Sequence, residues 1–94
     1  MDRIDVEWDP EKDQLNAKKH KTSFAEAATV FDDPFAETID DPDHSETEHR
    51  FVTVGRTSTG TLLVVVHTFR DDKIRLISAR RPTRKERHNY ENAE

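Results

Sequence analysis

Eight cations stand between positions 70 and 87: Arg70, Lys73, Arg75, Arg80, Arg81, Arg84, Lys85 and Arg87. Six of them are arginines, whose planar fork binds phosphate or carboxylate through paired N–H groups. Pro82-Thr83 reads as the opening of a helix. Arg84, Lys85 and Arg87 then fall in its first turn and a half, where cations oppose the helix dipole and make that end electropositive. Free N–H groups beside guanidinium groups make a competent phosphate site. The plainer alternative is a solvated face paired with acids elsewhere in the chain, because exposed ion pairs are common.

Three further groupings carry chemistry. Lys18-Lys19-His20-Lys21 joins a proton-transfer group suited to neutral pH with amines able to stabilise a charged phosphate; basic residues that merely complement a helix end are the alternative. The stretch from Asp40 to His49 has the look of a metal loop. It lacks the sixth-position Gly and in-register twelfth-position Glu of a calcium loop, and no two histidines there have H-x-x-x-H spacing. It reads as a solvated loop with one functional carboxylate, Glu48, and Arg50 stands two residues on, where it can pair with Glu48. His67, with Thr68 and Arg70, closes the most apolar run of the chain, either as a hydrogen-bonded core histidine or at the lip of a cleft. No metal site and no cofactor are expected. With two glycines and no cysteine, the chain has no G-x-S-x-G, P-loop or dinucleotide fingerprint and no thiol nucleophile or disulfide.

The elements that position these residues follow from pattern. Ile4-Asp5-Val6-Glu7-Trp8 alternates as a half-buried strand. Asp9-Pro10 caps and starts a helix over 10–20. Ser23 and Glu26 have capping-box spacing, and Phe24, Ala27, Ala28 and Phe31 form one apolar stripe on a second helix that Pro34 ends. Residues 35–40 read as a short edge strand and 50–57 as the next strand, followed by a Ser58-Thr59-Gly60 turn. Leu62 to Val66 is apolar on both faces, as a central strand requires. Asp71-Asp72 turns the chain into a last strand, Lys73 to Arg80, and Thr83 with Glu86 opens a C-terminal helix whose apolar content is nearly Tyr90 alone. The expectation is a compact α+β fold in one domain, 1–94. An antiparallel meander sheet carries two N-terminal helices and a C-terminal helix, packed on one side.

Composition bounds the function. The 94 residues are 32% hydrophobic and 37% charged, too little apolar material for a lined metabolite pocket. No run approaches the roughly 18 apolar residues of a membrane span, and no signal peptide is evident; a soluble cytoplasmic protein is expected. The net charge of −5 hides an asymmetry: residues 1–48 carry 15 acids and 5 bases, residues 49–94 carry 5 acids and 10 bases. A local basic face, rather than the total, decides phosphate binding.

VEWDPEKDQLNAKKHKTSFAEAATVFDDP resembles the opening of BrnT-type toxins, with its aromatic-Asp-Pro start, Asn and Lys-His in the first helix, and Phe with small residues before Asp-Pro. HSETEHRFVTVGRTSTGTLLVVVHTFRDDKIRLISARRPTRKERHNYE is similar to the remainder: the Glu-x-Arg pair, the Gly of the next strand, Leu-Val-Val-Val, Ile-Arg-Leu-Ile-Ser-Ala-Arg, then Thr-Arg-x-Glu-Arg. The blocks agree in order from about Val6 to Glu91. The resemblance implies a small bacterial ribonuclease toxin of a type II toxin–antitoxin module, with a RelE/ParE-like fold, that blocks translation. It also implies a BrnA-type antitoxin, operator DNA reached only through that antitoxin, and a higher-order toxin–antitoxin complex. Two positions depart from the family pattern. Lys21 stands where relatives often have Gly, and Phe69 where many carry an acid.

Metal-independent cleavage needs a base for the 2′-OH, cations for the phosphate charge and an acid for the leaving 5′-oxygen. Glu48 or His20 would move protons, with Lys19, Arg70, Arg75 and Arg80 positioning and stabilising charge. Arg50, Arg81, Arg84 and Arg87 would extend a phosphate track, and His67 would orient a neighbour or bind along it. The alternative function is a non-catalytic basic module that docks an acidic partner protein or nucleic acid.

Overall fold

The computed structural model describes residues 5–41 and 48–93, so Ile4 and most of the acidic loop lie outside the described residues. The chain runs β1 (Val6–Glu7), α1 (Pro10–His20), α2 (Phe24–Ala27) continued by a 3-10 turn (Ala28–Asp32), β2 (Glu37–Asp40), β3 (Phe51–Arg56), β4 (Leu62–Arg70), β5 (Lys73–Arg80) and α3 (Arg84–Asn92). Local signals account for most boundaries. Asp9 Oδ1 accepts the Glu11 N–H at 2.9 Å, with Pro10 in the first turn. Ser23 caps α2 through the Glu26 N–H. Thr83 and Glu86 cap each other at the start of α3. The second helix is tighter than its stripe suggests, because the Thr29 hydroxyl bonds back to the Glu26 carbonyl at 2.7 Å and Pro34 follows closely. α1 closes on Lys21 in the left-handed region, φ 59°, with its N–H on the Ala17 carbonyl. This is the conformation that glycine reaches most cheaply.

Among the described residues the sheet has five strands in the order β1-β5-β4-β3-β2. β2 to β5 form the expected antiparallel meander. β1 corrects the expectation of a purely antiparallel sheet: it lies parallel to β5, with Val6 opposite Ile74 and Glu7 opposite Arg75. Alternation marks a strand but not the direction of its partner, and the long connection between β1 and β5 permits the parallel arrangement. Between β4 and β5 the register shifts: Val66 pairs with Ser78 and His67 with Leu76, leaving Ile77 as an extra residue. The hairpin joining them turns at Asp71 and Asp72, both at positive φ.

Phe24, Ala27 and Val30 pack on Leu63, Val65, Ile74, Leu76 and Ala79, with Val6, Trp8 and Phe31 around them. α1 has little apolar surface to bury and is held differently. The buried Asn16 amide donates to the Ala79 carbonyl at 2.9 Å and accepts the Ala79 N–H at 3.0 Å, so the side chain pairs with the β5 backbone like a strand. α1 and α2 both pack against β5. α3 is tied instead to Arg80 and Arg56, which pair with Val64 and Leu62 and alternate onto the face opposite Leu63 and Val65. No α3 residue is buried. The helix is attached by polar contacts rather than by a core.

Candidate active site

Side chains of β3 and β4 alternate, so Arg70, Thr68 and the residues paired with them share the sheet face that α1 and α2 leave uncovered. Glu48 stands at the centre of this group. Its carboxylate is 3.7 Å from Arg50 Nε and 3.9 Å from Arg70 Nη2, too long for good hydrogen bonds but close enough to share a field. The segment is held by Thr68, itself buried, whose hydroxyl donates to the His49 carbonyl at 2.6 Å. Thr68 pairs across β5 with Arg75. Arg75 donates from Nη1 to Glu7 at 2.9 Å, while Lys73 Nζ stands 4.0 Å from the other Glu7 oxygen. One face at the start of β5 thus gathers Glu48, Arg50, Arg70 and Arg75.

The remaining candidates collect at the other end of β5. Arg80 and Glu86 form a bidentate pair at 2.8 and 2.9 Å. That hydrogen bonding, against the opposing effect of burial, holds the Glu86 carboxyl down to about 2 and raises the Arg80 guanidinium. Arg81, Arg84 and Arg87 are exposed, and Arg87 lies 3.5 Å from Glu91. Lys19 and His20 stand one turn beyond Asn16, which is fixed to Ala79. Lys73, where Arg70 pairs, precedes Ala79 by six strand residues, roughly 20 Å. His20 thus follows the helix segment tied to the Ala79 end of β5, while Glu48 stands by Arg70 at the Lys73 end.

His67 is corrected more firmly. It projects onto the helix-covered face with 1% of its surface exposed. Nε2 lies 2.8 Å from Thr53 Oγ1, and Phe31 meets the ring edge-on at 4.9 Å. Burial depresses its pKa to about 4. A neutral imidazole inside the core cannot meet a phosphate, so His67 is a structural residue.

Glu7 joins this group without having been singled out from sequence, whereas Thr68, read there beside His67 and Arg70, holds the Glu48 segment. The acid at Glu7 was visible only as the polar half of a strand pattern, and its meeting with Arg75 depends on the parallel pairing. Among the described residues no three His, Asp or Glu side chains are grouped to hold a metal ion, and no helix is long and apolar enough to cross a membrane. The part of the acidic loop from 42 to 47 lies outside the described residues. A shallow cleft of about 520 Å³ between α3 and the Pro34–Glu37 segment is lined by Phe35, Arg56 and Tyr90 and contains none of the candidates.

Residues 8–86 match the family described as the ribonuclease toxin, BrnT, of type II toxin–antitoxin system. The fold is similar to that in the 1.1 Å crystal structure of the Brucella abortus ribonuclease toxin, BrnT, with a TM-score of 0.65 and 19% identity, covering 87% of this chain and 100% of that one. No curated protein matches the chain.

Proposed function

Since the chain belongs to the BrnT family of ribonuclease toxins of type II toxin–antitoxin systems, we propose that it cleaves RNA without a metal ion, at the Glu48 end of the open sheet face. The observation that carries this reading is a single carboxylate set between two guanidinium groups at 3.7 and 3.9 Å, with Arg75 fixed nearby by Glu7. Loose pairing matters here. A phosphate can enter between Glu48 and Arg70 at little cost, whereas the bidentate Arg80–Glu86 pair must be broken before Arg80 can act.

In this mechanism Glu48 takes the proton of a ribose 2′-OH as its oxygen attacks the adjacent phosphorus. Arg70 and Arg75 donate N–H groups to the non-bridging oxygens, where charge accumulates. The bond from phosphorus to the 5′-oxygen breaks, and that oxygen leaves with a proton from solvent. The products carry a 2′,3′-cyclic phosphate and a 5′-hydroxyl. Arg50 orients Glu48, and Arg81, Arg84 and Arg87 extend the cationic track. His20 and Lys19 take no part in the proton transfer. The domain is read as 1–94 with a RelE/ParE-like sheet; a BrnA-type antitoxin, bound in a higher-order complex, would silence it in the cytoplasm and carry it to operator DNA.

Cleavage of labelled total RNA by the purified, antitoxin-free chain with EDTA present tests this. Fragments ending in 2′,3′-cyclic phosphate are expected, either from the chain alone or with translating ribosomes. Intact RNA in both settings, from protein shown to be folded, would refute catalysis and leave a binding module.

A further inference from the structure

The end of the sheet that carries Glu48 also carries a group of rings, and the chemistry above does not use them. Phe51, His67 and Phe69 alternate onto the face opposite Arg70 and Thr68. His49 joins them: its ring stacks on Phe51 with centroids 4.6 Å apart and planes 4° from parallel. Phe69 meets Phe51 edge-on at 5.2 Å and 72°. His49 Nε2 lies 3.2 Å from Asp40 Oδ1, which fixes the outer ring. Burial falls outward along the group, from 1% exposure at His67 to 51% at Phe69 and 62% for the His49 side chain. Two oriented rings are thus presented to water at the rim of the sheet.

These rings interleave with the charged group one residue at a time: Glu48-His49-Arg50 on one strand and Phe69-Arg70 on the other. Single-stranded RNA is bound by this combination, a cationic track for the backbone and aromatic faces for unpaired bases. The exposed aliphatic side chains that would extend a protein-docking patch lie elsewhere; Ile39 pairs with Val52 on the opposite face.

We propose that His49, Phe51 and Phe69 form a stacking platform for an unpaired nucleobase of the RNA whose phosphate lies at Glu48 and Arg70. This rests on the reading of the chain as an RNA-cleaving protein. The backbone would cross the rim of the sheet, with the phosphate on one face and the neighbouring base turned onto the other.

The test measures binding of the full chain to two labelled 12-mers. One is 2′-O-methyl oligoadenylate, which has no 2′-hydroxyl to attack; the other has the same backbone with abasic positions throughout. Stacking contributes enough per base that Phe69→Leu and His49→Leu should each weaken oligoadenylate binding on the order of 10- to 100-fold and leave the abasic 12-mer unaffected. Phe69→Trp and His49→Tyr, which keep a ring, should restore it. Oligoadenylate binding unchanged in both leucine variants would overturn the platform while the RNA reading stands. Failure of the unsubstituted chain to bind either 12-mer would remove that reading and the platform with it. Loss of antitoxin binding in the leucine variants, with RNA binding intact, would assign the rings to the partner protein and refute the proposal.

Discussion

Acidification from pH 8 to pH 5 should cost the fold about 2 kcal/mol through His67 alone. The ring is 1% exposed, Nε2 is engaged with Thr53, and Nδ1 has no hydrogen-bond partner among the described residues. Phe31, Phe51 and Phe69 pack around it, an environment that disfavours a charged ring. Burial therefore lowers its pKa from 6.5 to about 4. The unfolded chain then binds a proton that the folded chain refuses throughout the window between those values. Stability is complete above 6.5 and falls as pH drops towards 4, and the linkage relation gives roughly 2 kcal/mol at pH 5. For a domain of this size that is a lowering of the melting temperature by about 10 °C. Urea unfolding at pH 8, 6.5 and 5, followed by the fluorescence of Trp8 against Phe24 in the core, reads the effect directly. His67→Gln cannot acquire the charge and should be nearly flat over the same range, whatever its absolute stability. An equal loss in the Gln variant, or no loss in the unsubstituted chain, would refute the attribution to His67.

Three other outcomes are expected. Glu48→Gln should lower RNA cleavage by about 10²- to 10⁴-fold, as loss of a proton-transfer group does, whereas His20→Ala should change it less than threefold; rates on one labelled RNA compare them, and the reverse ranking would move the site to the other end of β5. Glu86, held at about 2 against an ordinary 4.5 chiefly by Arg80, stabilises the fold above 4.5 and loses that contribution as pH falls towards 2. Solvent screening of the half-exposed pair limits it to about 1–2 kcal/mol, so Glu86→Gln should reduce stability by that amount at pH 7 and flatten the acid limb below 4.5. Lys21→Gly should raise stability by up to about 1 kcal/mol, because Lys21 holds φ 59° where glycine pays no steric penalty; an unchanged or lowered denaturation midpoint would show that unfolded-chain entropy outweighs that relief.

Much of the architecture is legible along the chain because its causes are local. Asp9-Pro10, Ser23 with Glu26, and Thr83 with Glu86 act within a few residues, and each caps the helix that its spacing implies. The doubly apolar run from Leu62 becomes the buried central strand, and Asp71-Asp72 makes the turn. The Glu48–Arg50 meeting was equally readable, since two residues of sequence separate them. The family match spans residues 8–86.

Tertiary structure decided which cations share a site. The sequence places Arg75 and Arg80 in one basic stretch, yet an extended strand holds them at opposite ends, one against Glu7 and the other against Glu86. Glu7 is 68 residues from Arg75 and meets it only because β1 enters parallel to β5. His67 follows its apolar run into the core because strand alternation and the placement of α2 put that face under cover. Caps and turns are set by neighbours in the chain, while charge pairing and burial depend on register between distant strands; only the first kind of information can be read along a single sequence.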